Sequence, residues 1–323
     1  MKKLIIYIFF VIIFVFIIPA MFTQKFNFEV ASSENVEKME EYDYGVYNNV
    51  KVLMDNGEIK EIVLDEYLHG VLSAEMPASY EKEALKAQAI VARTYTMYKI
   101  LKDKKHENCD ICSNYACCQA WIDDNSKKEK WKDKYDEYNN KIKSAIDETK
   151  GKIITYENSP INALFHANSG GKTEIPINVW GGNYPYFAVV ETSGENEYSG
   201  YASEIEISKE EFINKIKEKY NDFEIDFLNE NCIKILEYTE SGRVKMIRIG
   251  NKEISGVELR SILSLKSSNF VYEILENTIK FKVIGYGHGV GLSQSGSDAL
   301  ARSGKNSDEI INHYYKNIEI INY

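Results

Sequence analysis

Apolar and polar side chains alternate from Lys51 to Leu64 on either side of Asp55-Asn56-Gly57, and a period of two broken by such a turn predicts a β-hairpin. The period then lengthens. Asp65 is placed to cap a short helix that carries His69, a structural histidine among apolar neighbours, and ends near Glu75. From Ala84 to Tyr98 the chain is small or apolar nearly all round, which predicts a helix packed on most sides. Its only charges are Lys86 and Arg93, seven residues or close to two turns apart, so both project from one stripe. Long cations in such a tract are rarely buried without a partner, and Glu75, at the mouth of this helix, is the candidate. From spacing alone, Glu75 as a structural ion pair or cap and Glu75 as a catalytic group both stand.

Farther on, a highly charged helix is expected over 126–150, its exposed face solvated. Two strands around Asn158-Ser159-Pro160 and a glycine-rich loop from His166 follow. From about 192 to 281 the texture changes to a charged mixture of strands and helices, an accessory lobe set between motif-rich segments. Helices from Ser295 and from a capping Ser307 close the chain. The pattern predicts an α+β fold, mostly antiparallel, with one large globular domain over 49–323 that includes the lobe.

The N-terminus is different. Leu4 to Phe22 is an apolar run just long enough to span a bilayer, and Lys2 and Lys3 favour a cytoplasmic N-terminus. Lacking a clean small-x-small cleavage site, residues 1–22 read as a retained transmembrane helix rather than a signal peptide. Residues 23–48 read as a polar extracytoplasmic tether. The expected location is the cell membrane, single-pass, with the domain outside. A formal charge of −10 argues against nucleic acid as partner, because phosphate binding needs a basic face. A carbohydrate polymer needs neither sign of charge, and aromatic rings give sugars flat apolar surfaces.

Four of the five cysteines fall within ten residues, in the loop that begins at His106. Zinc and disulfides both remain possible readings in an exported domain; adjacent cysteines such as Cys117 and Cys118 pair with each other only under strain, and thiolates with imidazole at these spacings suit tetrahedral zinc. Cys109 is a spare that could compete as a ligand, and Cys232 reads as a buried apolar residue. Two nucleotide-like signals fail. Gly171-Lys172-Thr173 lacks the first glycine of a P-loop, and the glycines from Gly285 to Gly291 never fall in a dinucleotide-binding register.

Glu75-Met76-Pro77 followed by Glu83-Ala84-Leu85-Lys86-Ala87-Gln88-Ala89 and Ala92-Arg93-Thr94-Tyr95 closely resembles the signature of the stage II sporulation protein D family. The likeness continues to the C-terminus, through Ile254-Ser255-Gly256-Val257-Glu258-Leu259-Arg260 and Gly285-Tyr286-Gly287-His288-Gly289-Val290-Gly291. Members are lytic transglycosylases of peptidoglycan, and related domains occur in amidase enhancers. The resemblance implies Glu75 as the catalytic acid. It implies substrate contacts at Tyr186 and His288; Lys86 and Arg93, facing either Glu75 or the sugar, and Gln119, beside the metal site at the cleft, are the other expected substrate contacts. The resemblance also implies one structural zinc on His106, Cys112, Cys117 and Cys118, with Cys117 in place of the family's second histidine. The implied partners are glycan strands, the amidase stage II sporulation protein P and a membrane scaffold protein of spore engulfment. Two other readings stay open: a non-catalytic wall-binding module that enhances an amidase, and a zinc-dependent wall hydrolase.

Overall fold

The computed structural model describes residues 43–323. The transmembrane helix expected over 1–22 lies outside the described residues, and among those described no helix is long and apolar enough to cross a membrane. The end of the expected tether is already packed. Tyr44 is buried, its hydroxyl donates to the Asn158 carbonyl at 3.2 Å, and its ring lies 5.5 Å from that of Tyr323.

Strands β1 (Asn49–Leu53) and β2 (Ile59–Val63) form the hairpin, with Gly57 at φ +84° in its turn. Helix α1 (Leu64–Glu75) starts two residues earlier than the sequence suggests. Val63 is its N-cap, and Asp65 sits in the first turn, where a carboxylate favours the positive end of the helix. The helix stops at Glu75 because Met76 precedes Pro77 and is pushed to extended geometry, φ −120° and ψ 138°.

Helix α2 (Lys82–Leu101) is the centre of the main core, buried along most of its length. Strand β3 (Ile111–Cys112) pairs parallel to β1. The charged segment forms two helices, α3 (Asp124–Trp131) and α4 (Tyr135–Asp147), instead of one. Lys132, at φ 50°, breaks the run, and beyond the break Tyr135 and Tyr138 bring their rings within 6.2 and 5.9 Å of Trp131. Strands β4 (Lys152–Tyr156) and β5 (Ser159–Pro160) turn at Glu157-Asn158, both with positive φ, and β6 (Phe165–His166) follows.

A second apolar cluster, built on Phe212, Ile247, Leu259 and Phe281, belongs to residues 207–283. Its elements are β7 (Ala202–Ser208), α5 (Lys209–Lys217), β8 (Ile233–Tyr238), β9 (Val244–Ile249), β10 (Lys252–Ser255), α6 (Gly256–Leu263), β11 (Phe270–Ile274) and β12 (Thr278–Ile284). They make two three-stranded antiparallel sheets, ordered β10-β9-β8 and β11-β12-β7. The chain then returns through β13 (Leu292–Ser293), parallel to β6, into α7 (Gln294–Arg302) and α8 (Ser307–Tyr314), and β14 (Glu319–Asn322) closes on β4. The fold is mixed helix and sheet, and its longer strand pairings are antiparallel. Asn306, not Ser307, caps α8, in a capping box with Glu309.

Helix α2 packs on α1, α4, α7, α8 and β4, and one buried cation ties several of these together. The fully buried Arg93 donates from Nη1 to the Thr149 carbonyl at 2.7 Å and from Nη2 to Asp65 Oδ1 at 3.2 Å. Its role is therefore to join α1 and the end of α4 to α2, and the expectation that it touches substrate is corrected. Arg93→Ala removes this tie, but Asp65 keeps Lys150 Nζ at 3.8 Å and the Thr149 carbonyl keeps the Lys152 N–H at 3.1 Å, so it is expected to lower unfolding free energy by about 1–3 kcal/mol. Urea denaturation followed by circular dichroism will show this as a lower midpoint at unchanged slope.

Candidate active site and metal-binding loop

The C-terminal residue of α1 is Glu75, half-buried, and three segments distant in sequence converge on it. The Ala120 backbone N–H donates to its Oε1 at 2.6 Å. The amide of Gln294, first residue of α7, lies beside the same carboxylate, and its buried Nε2 completes no hydrogen bond of good geometry. From α3, Lys130 donates to the Ser73 carbonyl at 2.7 Å and so caps the helix that carries Glu75.

Burial pushes the Glu75 carboxyl pKa up, against smaller downward effects from the Ala120 N–H, the Gln294 amide and the Lys130 charge. Neither Lys86 nor Arg93 acts on it. Lys86 instead pairs with Glu83 at 2.8 Å and Glu148 at 3.7 Å, in a groove of about 500 Å³ beside α8. The stripe shared by the two cations is real, but it faces other carboxylates. The structure thus removes both cations from the candidate active site.

Two more of the expected substrate contacts are interior. Gln119 is fully buried, its Nε2 donating to the Tyr67 hydroxyl at 3.3 Å and Thr96 Oγ1 at 3.2 Å, so it fastens the cysteine loop onto α1 and α2. Tyr186 is buried against Tyr184 and Phe187, and its hydroxyl accepts from the Asn162 N–H at 3.1 Å. Both are corrected to packing residues. The exposed aromatic of that segment is Trp180, 50% accessible, its ring 5.2 Å from that of His288 and edge-on to it. Trp180 and Gln294 were absent from the expected site, although both stand inside motifs visible in the sequence.

His288 is half-buried in the loop Gly285–Gly291. Its Nδ1 accepts from the Val290 N–H at 3.0 Å, which assigns the ring proton to Nε2. Burial and the neighbouring His166, Arg260 and Arg243 hold its pKa well below the usual range, so the ring is neutral. His166, 5.6 Å away ring to ring, is buried and neutral for the same first reason, with a pKa near 3.

The cysteine loop gathers His106, Cys112, Cys117 and Cys118, with all four ligand atoms within 4.8 Å of one another. His106 Nε2 lies 3.5 Å from Cys118 Sγ and 3.7 Å from Cys117 Sγ, and the last two sulfurs are 3.9 Å apart. The group could hold a metal ion, and Cys109 is not part of it. The loop then continues from Cys118 through Gln119 to Ala120, so it ends on the N–H that binds Glu75. His69 is satisfied, with Nδ1 3.0 Å from Lys127 Nζ and Nε2 3.3 Å from the Asn139 carbonyl. Lys127 is therefore buried against α1, while Lys130 stays exposed and reaches α1 only through its ammonium.

The comparisons with known proteins agree on one lineage. The family model described as stage II sporulation protein matches residues 54–156. Stage II sporulation protein D of Bacillus amyloliquefaciens is 31% identical over 268 residues, 82% of this chain and 76% of the relative. That of Bacillus subtilis strain 168 is 32% identical, with the same coverage of each. The amidase enhancer of Bacillus subtilis is 24% identical over 79% of this chain and 40% of its own length. At that identity and coverage, the chain belongs to the stage II sporulation protein D family.

Proposed function

We propose that the chain is a lytic transglycosylase that cleaves the bond from N-acetylmuramic acid to N-acetylglucosamine in peptidoglycan glycan strands. The observation that carries this is Glu75: one half-buried carboxyl at the end of α1 that accepts from the Ala120 N–H at 2.6 Å, its pKa raised by burial, with Gln294 and Lys130 but no carboxylate among the described groups that shift it. Glycosidases that use water normally need two carboxylates about 5–9.5 Å apart. A single one suffices when the nucleophile is part of the substrate. Glu75 gives its proton to the bridging oxygen as the bond to C1 breaks. The carboxylate then takes the proton of the muramic acid's own 6-hydroxyl as that oxygen attacks C1. The product is a 1,6-anhydro sugar, no water is consumed, and Glu75 is left protonated for the next turnover. Neutral His288 and the exposed face of Trp180 are read as glycan contacts, the indole offering a stacking surface.

The metal in this reading is one structural zinc per chain on His106, Cys112, Cys117 and Cys118. Zinc–sulfur bonds of about 2.3 Å and zinc–nitrogen bonds of about 2.0–2.1 Å give tetrahedral edges of roughly 3.8 Å between sulfurs and 3.6 Å from sulfur to nitrogen. The separations of 3.5, 3.7 and 3.9 Å suit those edges. Four protein ligands leave no place for a reacting water, which disfavours a zinc hydrolase. What the loop supplies is position, since Ala120 reaches Glu75 only if the chain from Cys118 is held. The same reading puts the protein at the cell membrane through residues 1–22, working in spore engulfment beside stage II sporulation protein P and a membrane scaffold protein.

Mass analysis of peptide-free glycan strands digested by the full chain tests the reaction. Products ending in 1,6-anhydro-muramic acid support it, and reducing muramic ends oppose it. The likeness to an amidase enhancer favours one alternative, a wall-binding module that cleaves nothing, for which the same digest would return intact strands. A pH series adds a second check. A carboxyl pKa raised by burial keeps the acid form to higher pH, so kcat is expected to fall as pH rises through that pKa. Lys130→Met removes a charge that lowers this pKa, so its falling limb should move to higher pH.

A further inference from the structure

The loop Gly285–Gly291 is held from below by an arginine that the accessory lobe supplies. Arg243 stands in the hairpin between β8 and β9 and is almost wholly buried. Its Nη2 donates to the Ser169 carbonyl at 2.6 Å, and its Nη1 to the Lys172 carbonyl at 2.9 Å and Ser241 Oγ at 2.8 Å. Ser241 in turn donates to Glu174 Oε2 at 2.6 Å. All of these acceptors except Ser241 belong to the glycine-rich segment after β6, so one side chain of the lobe fixes a segment of the main core.

The same guanidinium covers Gly289. Cζ and Nε of Arg243 lie 2.6 and 2.9 Å from where a Cβ on Gly289 would stand, and Nη2 lies closer still. Gly289 is at φ +84°, which glycine alone adopts without strain, and its carbonyl accepts from the Glu174 N–H at 2.7 Å. The peptide beside His288 is thus gripped on its face by Arg243 and at its oxygen by Glu174. Both grips come from one buried network at the seam between lobe and core. The lobe also meets this loop at Lys266, whose carbonyl accepts from the Gly287 N–H at 2.9 Å and whose Nζ lies 5.1 Å from the Tyr286 ring, but the buried grip on Gly289 is that of Arg243, and the chemistry assigned to Glu75 makes no use of it.

We propose that Arg243 is a positioning residue, and that the lobe serves as a clamp setting the Gly285–Gly291 loop so that His288 meets the glycan. The inference rests on the reading of His288 as a glycan contact, but the grip on the loop can be tested without glycan. Arg243→Lys keeps the charge and cannot span the Ser169 and Lys172 carbonyls at once. Gly289→Ala puts a Cβ where the guanidinium lies.

Amide hydrogen exchange of the full chain is the first readout. Both variants are expected to raise exchange at least tenfold in residues 285–291 while α2 keeps its protection. Binding of peptide-free glycan to the full chain carrying Glu75→Gln is the second, with affinity expected to fall about tenfold in each variant. The double variant should be no weaker than the worse single one, because both act on one contact. In the cleaving protein the loss should appear in KM, with kcat within about threefold. Unchanged exchange in residues 285–291 overturns the clamp, whatever the glycan result. Faster exchange with unchanged affinity confines Arg243 to stability and overturns its role in binding. A parent that binds no glycan at all counts against the proposed function, and the exchange result still decides the clamp.

Discussion

Glu75→Gln is expected to reduce glycan cleavage by roughly 10²–10⁴-fold, the usual worth of a general acid, with folding and glycan binding close to unchanged. Glutamine is the cleaner of the two obvious replacements. Its amide oxygen can still accept from the Ala120 N–H that Glu75 holds at 2.6 Å, so the loop stays in place while the proton to be given is gone. Glu75→Ala should be as inactive, but it leaves that N–H without its acceptor beside a half-buried space. A modest loss of stability, about 1 kcal/mol, is expected for alanine and not for glutamine. An endpoint digest read by mass spectrometry, with thermal unfolding of all three proteins, separates the effects. Full cleavage by either variant would remove Glu75 from the chemistry and return the chain to the wall-binding alternative.

The parts of this architecture that were legible in the sequence are those written in short-range patterns. The Asp55-Asn56-Gly57 turn, the apolar helix around Ala87 and Ile90 and the stop before Pro77 all follow from local periods and backbone limits. The gathering of His106, Cys112, Cys117 and Cys118 follows from ligand spacing, with the family motif deciding against Cys109. What the sequence leaves hidden is what a projecting side chain meets. Helical spacing places Lys86 and Arg93 on one stripe, but it does not say that the stripe runs from Glu83 and Glu148 to Asp65 instead of to Glu75. Two cations beside Glu75 would favour its ionised form and work against a general acid, and their pairing elsewhere leaves the acid form undisturbed by them. Likewise, Gln294 and Trp180 could have been nominated from their motifs, while which aromatic of the segment Trp180–Tyr186 faces outward depends on packing. Tyr186 is drawn inward by Tyr184 and Phe187, and Trp180 stays beside His288.

Removing the metal ligands should produce the largest change in stability. Cys112→Ser and Cys118→Ser are each expected to take zinc from about one per chain to near none. A ligand present at about 1,000 times its Kd stabilises by about 4 kcal/mol. For a domain of this size each kcal/mol moves Tm by about 2–4 °C, so a fall of roughly 8–16 °C is expected, with chelator-treated wild type falling by the same amount. Activity should fall with it, because Ala120 follows Cys118 by two residues and its N–H orients Glu75. Cys109→Ser and Cys232→Ser are the controls. Cys109 lies outside the four-atom group, and Cys232 is buried in the second apolar cluster, so both should retain metal. Metal analysis by mass spectrometry beside calorimetry settles the assignment. If Cys109→Ser loses the metal and Cys117→Ser keeps it, the ligand set is wrong. If all of them keep their Tm after complete metal loss, the loop is held by Gln119 and its partners Tyr67 and Thr96 without help.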